Sequence, residues 1–193
     1  PASMSEADAQ ARLSPADAAR TLADIDAITA RVRQSRIYML ASTAMVVWGP
    51  LVACAYAVTQ FWPRYAAIIW PACHVIGFVT TVMLARRHPR EASRRGGLLV
   101  AAALAIIIAY GVLWSVVFGQ FGPRQMSAFW PTLFMFAYTV AGLWFGRAFV
   151  MLGLTVTALT MVGYVWAGHW FDLYMSVVNG GGLLLCGLWM RRA

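Results

Sequence analysis

Six apolar stretches, each long enough to cross a bilayer, occupy residues 38–60, 65–85, 97–119, 126–146, 148–168 and 170–190, and little else follows residue 37. A helix needs about 20 predominantly apolar residues to cover a hydrocarbon core of about 30 Å. Stretches of that length in close succession point to an all-α polytopic membrane protein, with six transmembrane helices arranged as three consecutive hairpins. Soluble domains are about 25% charged, whereas this chain is 11% charged and 61% hydrophobic. Two regions result: an N-terminal extension over residues 1–36 and a six-helix transmembrane domain over residues 37–193.

The net charge of +8 invites a nucleic-acid reading, but the placement of the charge opposes it. Arg31, Arg33 and Arg36 precede the first span, and Arg86, Arg87, Arg90, Arg94 and Arg95 fill the second loop. Arg147 lies in the fourth loop, and Arg191 and Arg192 follow the sixth span. The other side of the membrane has only Arg64 and Arg124. That asymmetry puts both termini in the cytoplasm by the positive-inside rule. Arg31, Arg33, Arg36, Arg86, Arg87, Arg94, Arg95, Arg191 and Arg192 are the expected contacts to anionic headgroups of the inner leaflet, each contributing on the order of 1 kcal/mol. No nucleic-acid partner is expected, since no aromatic-basic interleaving lies outside the spans. All 15 basic residues are arginine, and with the alanine richness this suggests a GC-rich bacterial genome and an inner-membrane location.

Pro1-Ala2-Ser3 ahead of Met4 reads as a cloning remnant, and the first span is too long for a signal peptide. Ser14-Pro15 is a helix-start signal, with serine as cap and proline at the first helical position. Ala18, Leu22, Ile25, Ile28, Thr29 and Val32 then recur at spacings of three and four and draw one apolar stripe. Asp17, Arg20, Asp24 and Arg31 lie mostly off it, and Arg20 can reach Asp24 one turn on. No glycine or proline interrupts residues 16–48, so the helix is expected to run into the first span. Two readings stand for residues 15–36. They form an interfacial helix on the inner leaflet, or a docking helix for a protein partner or a second copy.

Each returning span has an aromatic entrance and an arginine exit. Ile69-Trp70-Pro71 leads to Arg86-Arg87, Phe129-Trp130-Pro131 to Arg147, and Leu173-Tyr174-Met175 to Arg191-Arg192. An internal repeat of the transporter kind gives this pattern, and so does the shared demand for interfacial aromatics and inner arginines. Trp62, Trp130, Trp166 and Trp170 fit an outer aromatic belt, and Trp144 and Trp189 an inner one. Pro50 and Pro71 lie within spans, where each removes a backbone donor. Cys54, Cys73 and Cys186 lack metal-ligand spacing and read as small buried apolar residues.

Deep polar residues are where chemistry would sit, because burying them in hydrocarbon is costly. His74 and Asn179 are each tenth from the start of an inward-running span, and Trp48, Tyr110, Tyr138 and Thr157 fall near the same depth. Together they suggest a midplane pocket for a small solute, or a structural polar layer. Asn179-Gly180-Gly181-Gly182 suggests either close helix packing or a local helix break. On the packing reading, leucine at Gly181 should overpack and alanine should be milder. No cofactor and no metal are implied: His169 and Asp172 supply only two ligands. No Gly-x-Ser-Gly, His-Glu-x-x-His or intramembrane carboxylate pair appears, so an enzyme is not expected.

The string Ala23-Asp24-Ile25-Asp26-Ala27-Ile28, continuing through Arg36 into six spans that end on a glycine-rich helix and Arg191-Arg192, resembles an uncharacterised bacterial six-span inner-membrane protein family. Some of its members are encoded beside small winged-helix regulators. The resemblance covers most of the chain and carries over no activity and no catalytic residue. In size and span count the chain is also similar to the substrate-binding subunits of energy-coupling-factor vitamin transporters, a likeness of architecture alone. The expected function is that of a non-enzymatic integral membrane protein acting through partners, as a regulatory or assembly subunit. The alternative is a small-solute carrier or substrate-binding subunit of a transporter.

Overall fold

A computed structural model describes residues 15–87 and 94–192, and among these there is no strand. The chain divides into two compact units, Pro1–Ile37 and Tyr38–Ala193. The expected cap at Ser14 and the side chains of Arg31, Arg33, Arg36, Arg87, Arg94 and Arg95 lie outside the described residues.

The first helix is Pro15–Phe61, without a break at Pro50. Proline is tolerated at a helix start because the first N–H groups have no partner within the helix. In the first unit Leu22, Ile25 and Ile28 are all exposed, one every three residues along the helix.

The second unit holds six helices long and apolar enough to cross a membrane: Tyr38–Phe61, Pro63–Leu84, Leu98–Phe118, Pro123–Phe145, Arg147–Trp166 and Gly168–Met190. These are spans one to six. Burial sorts their apolar windows: 33% of that of span one, 39% of span five and 33% of span six is buried, against 17% of span four and 11% of spans two and three. Spans one, five and six therefore make the core, with span four packed on five, span two resting on one and span three on four.

Small residues make that core possible. Lipid offers apolar side chains the same environment as a neighbouring helix, so association depends on close fit and hydrogen bonds. A Cβ added at Gly180 would lie 2.5 Å from Ala53 Cβ and 2.7 Å from Ala53 Cα, so spans one and six touch backbone to backbone. Gly49 abuts the Gly180 carbonyl and Leu184 N, and Gly187 abuts Met45 and Ser42. Hydrogen bonds fasten the same pair at three heights. Ser176 Oγ donates to the Ala53 carbonyl at 2.8 Å, and Arg191 Nε donates to Ser42 Oγ at 3.2 Å. Gln60 Nε2 donates to the His169 carbonyl at 3.0 Å while its Oε1 accepts from Leu173 N at 3.2 Å. That last bond satisfies one of the early N–H groups that a helix start leaves open.

Spans four and five are joined by one residue, Gly146, at φ 132°, a conformation open to glycine and costly for other residues. The chain reverses there, and Gly142 and Gly153 let the two helices stay close, against Val150 and Phe149 on one side and Met135 and Thr139 on the other. The peripheral spans use a ring in a notch. The Trp48 indole fills the space beside Gly77 of span two, and Trp130 that beside Gly111 of span three. Trp130, expected in the outer aromatic belt, thus also packs between helices. Cys54 departs from its expected burial: it is exposed on span one, while Cys73 is buried and Cys186 half-buried.

Loops one, three and five form one end of the bundle, here the odd-loop end. Short 3-10 turns, Pro63–Tyr65 and Gly168–Trp170, open spans two and six there. The rest of span six follows the second turn. It is continuous but irregular, with helix Phe171–Met175, a π-helical stretch Ser176–Gly181 and helix Gly182–Met190.

Candidate functional site

The structure does not gather the six midplane residues into one pocket. Trp48 and His74 meet edge to face, with ring centroids 5.8 Å apart. Each has a structural bond: Trp48 Nε1 donates to Thr81 Oγ1 at 3.1 Å, and His74 Nδ1 pairs with the Trp70 carbonyl at 2.7 Å. A carbonyl only accepts, so Nδ1 carries the proton. Tyr110 points outward and is 60% exposed. Tyr138 stacks on Phe149, with 10° between ring planes. Thr157 is half-buried on span five. Asn179 is buried, but beside Tyr56 rather than His74. Equal depth fixes height along a helix and leaves direction around its axis free.

The three glycines also separate. Gly180 is the close-packing residue, against Ala53, and Gly182 lies near Val156 Cγ2. Gly181 has nothing within 4 Å of an added Cβ. The expectation that leucine at Gly181 overpacks is therefore corrected: the position is open. Nor is the segment broken. Its π-helical turn keeps the backbone helical while rotating the residues that follow, and π-turns occur often at functional sites.

A different set of residues comes together between Asn179 and the odd-loop end. It starts from Pro131. Proline has no N–H, so the carbonyl four residues earlier, that of Ser127, loses its helical partner. The Tyr56 hydroxyl from span one supplies a replacement, donating to Ser127 O at 2.8 Å. Tyr56 is 1% exposed, packed with Val52, Phe171 and Met175, and meets Trp70 edge to face at 4.7 Å. Asn179 of span six lies near the same hydroxyl, and Asp172 lies near Ser127. Tyr56 and Ser127 thus join spans one and four by a hydrogen bond, with two polar residues of span six close by. Asn179 Oδ1 and Asp172 Oδ1 are both buried with no hydrogen-bond partner among the described residues.

Arg124 stands on the same side of the bundle as Asp172. Its NH2 donates to the Tyr164 carbonyl at 2.6 Å, one of the last carbonyls of span five, which a helix end leaves without a partner. A cation there is also favoured by the helix dipole. The guanidinium carbon lies 5.1 Å from the centre of the Tyr164 ring and 5.5 Å from that of Phe171. Pro123, Arg124, Gly168, His169, Phe171 and Asp172 line an open depression of about 310 Å3.

Of the expected lipid-facing arginines, Arg86, Arg191 and Arg192 are exposed, and Arg191 also ties span six to span one through Ser42. Sequence reasoning passed over Tyr56, Ser127 and Arg124. The signal that leads to the first two is Pro131, four residues beyond a serine on a span whose facing helix carries a tyrosine, and Arg124 follows from the end of span five. Among the described residues no group of three His, Cys, Asp or Glu side chains is placed to hold a metal ion. No known protein family, curated protein or solved structure matches the chain.

Proposed function

We propose that the chain is a non-enzymatic subunit of a bacterial inner membrane that acts through a protein partner bound at its N-terminal helix. The observation supporting this reading is the exposed stripe of Leu22, Ile25 and Ile28, outside the six spans. The arginine asymmetry adds a direction: with positive charge inside, the stripe belongs to the cytoplasmic side and the odd-loop end faces out.

Charge selects the partner. Residues 27–37 contain Arg31, Arg33 and Arg36 and no acidic residue. A second copy in the same membrane would align parallel and set three arginines beside three. A partner with an apolar helix face rimmed by carboxylates satisfies both the stripe and the arginines. The test is co-purification of the full chain in mild detergent, in wild type, Ile25→Asp and Ile25→Leu forms. Capture that survives leucine, is lost with aspartate and weakens with salt supports the reading. Capture that ignores Ile25→Asp, or a stripe protected only by anionic vesicles, overturns it. A second reading, a solute-binding subunit, draws support from the charged depression at the odd-loop end rather than from the midplane.

A further inference from the structure

We propose that the lipid-facing furrow between spans one and six holds one anionic phospholipid, with its phosphate on Arg191 and one acyl chain running to Gly181. The proposal is independent of the docking reading and of which way the bundle faces in the membrane.

The furrow follows from the contacts between the two spans. Gly180 meets Ala53, Gly49 meets Leu184, and Gly187 meets Met45. The spans run antiparallel, since Gln60 bonds to His169 at one end and Ser42 to Arg191 at the other. The next residue along a helix is turned by about 100°. In an antiparallel pair, the residues that follow the contact positions therefore emerge on the same side of both helices. On span six these are Gly181 and Leu188, and on span one Pro50 and Cys54. Tyr56 and Asn179 lie on the opposite side, buried in the bundle. The furrow side is open: Leu188, Pro50 and Cys54 are exposed, and nothing lies within 4 Å of a Cβ on Gly181.

Arg191 closes one end of the furrow. Its Nε donates at 3.2 Å to Ser42 Oγ, a side chain with no exposed surface, so the guanidinium is held from within the bundle. Arg191 itself is exposed, and Arg192 follows it on the furrow side. Asp172 is the one acidic side chain among the described residues of the second unit, 19 residues away at the other end of span six. Nothing among those residues neutralises the two arginines. A phosphate diester at the membrane edge has the charge and the paired oxygens that a guanidinium fork takes. Two cations at the mouth favour a headgroup of net negative charge over one with its own ammonium.

Length sets the other end. Gly181 and Arg191 are ten residues apart, about 15 Å at 1.5 Å per residue. That is half of a hydrocarbon core of about 30 Å. A chain whose phosphate meets Arg191 thus ends beside Gly181, where the missing side chain leaves room for it.

The experiment strips the full chain of lipid by detergent exchange and reads rebinding by native mass spectrometry. Phosphatidylglycerol and phosphatidylcholine of equal chain length are the probes. Dihexanoyl phosphatidylglycerol and inorganic phosphate separate the acyl chain from the anion. One long-chain phosphatidylglycerol should be retained per protein, and the other three should bind at least tenfold more weakly. Arg191→Gln should weaken retention roughly ten- to hundredfold, the loss of charge-assisted hydrogen bonds. Ser42→Ala keeps the charge but releases the guanidinium, so retention should fall several-fold, which diffuse attraction would not produce. Gly181→Leu occupies the furrow where the fold has room, so it should melt like wild type and retain several-fold less lipid. Arg86→Gln, which removes an exposed arginine from span two, should leave retention unchanged. Equal retention by wild type and Arg191→Gln overturns the proposal. So does a loss in Arg86→Gln as large as in Arg191→Gln, or inorganic phosphate binding as well as the long-chain lipid.

Discussion

Alanine at Gly180 adds one methyl group to the closest of the glycine contacts between spans one and six. The new carbon would lie 2.5 Å from Ala53 Cβ and 2.7 Å from Ala53 Cα. Carbons in contact sit about 3.5–4.0 Å apart, so the helices must separate by roughly 1 Å. Neither obstacle has a rotamer to change, and the strain falls on the backbones. Overpacking of this kind costs about 1–3 kcal/mol. Separation also stretches the Ser176–Ala53 hydrogen bond, now 2.8 Å, a kind of bond worth about 0.6 kcal/mol in a membrane bundle. Alanine's better helix propensity returns about 1 kcal/mol. The net expectation is a loss of roughly 0.6–2.6 kcal/mol. Gly181→Ala receives only the propensity gain, because nothing lies within 4 Å of its added carbon. Two neighbouring substitutions of identical chemistry should thus move stability in opposite directions. Equilibrium unfolding in mixed SDS micelles, followed by tryptophan fluorescence, measures both. A loss at Gly181→Ala equal to that at Gly180→Ala would refute the assignment of Gly180 as the contact residue.

Span two should detach through a single notch. A Cβ on Gly77 would fall 2.6 Å from Trp48 Cη2, so Gly77→Ala should destabilise by about 1–3 kcal/mol, and Trp48→Leu in the same chain should recover part of that. A double-mutant cycle showing additive effects would count against the notch. The proposed orientation is checked by reporters: one fused after Ala193 should be active only in the cytoplasm, and one beside Arg124 only outside. The opposite result at either site reverses the bundle in the membrane.

The six spans were legible in the sequence because length and apolarity in a bilayer leave few alternatives. Their partners were not. Spans two and three are as apolar as the rest, yet only 11% of either is buried. Composition cannot separate a helix facing lipid from one facing protein, since both surroundings are apolar. Small residues carry that information instead, but only in combination. Gly180 and Gly181 are identical as letters, and only the position of Ala53 across the contact distinguishes them.

The candidate site illustrates the same limit. Counting from the ends of spans gave His74 and Asn179 the same depth, and depth was then read as proximity. Successive residues of a helix turn by about 100°, so residues at one level face all directions: Tyr110 faces out, Tyr138 meets Phe149, and Asn179 meets Tyr56. What brings polar groups together in this bundle is an unsatisfied backbone group calling for a partner on another helix. Pro131 frees the Ser127 carbonyl, which draws Tyr56; the end of span five frees the Tyr164 carbonyl, which draws Arg124. Both events were written in the sequence as a proline and a helix end. Applied to spans of known register, that search reaches Tyr56 and Arg124 directly, because those are the two side chains that the freed carbonyls hold in place.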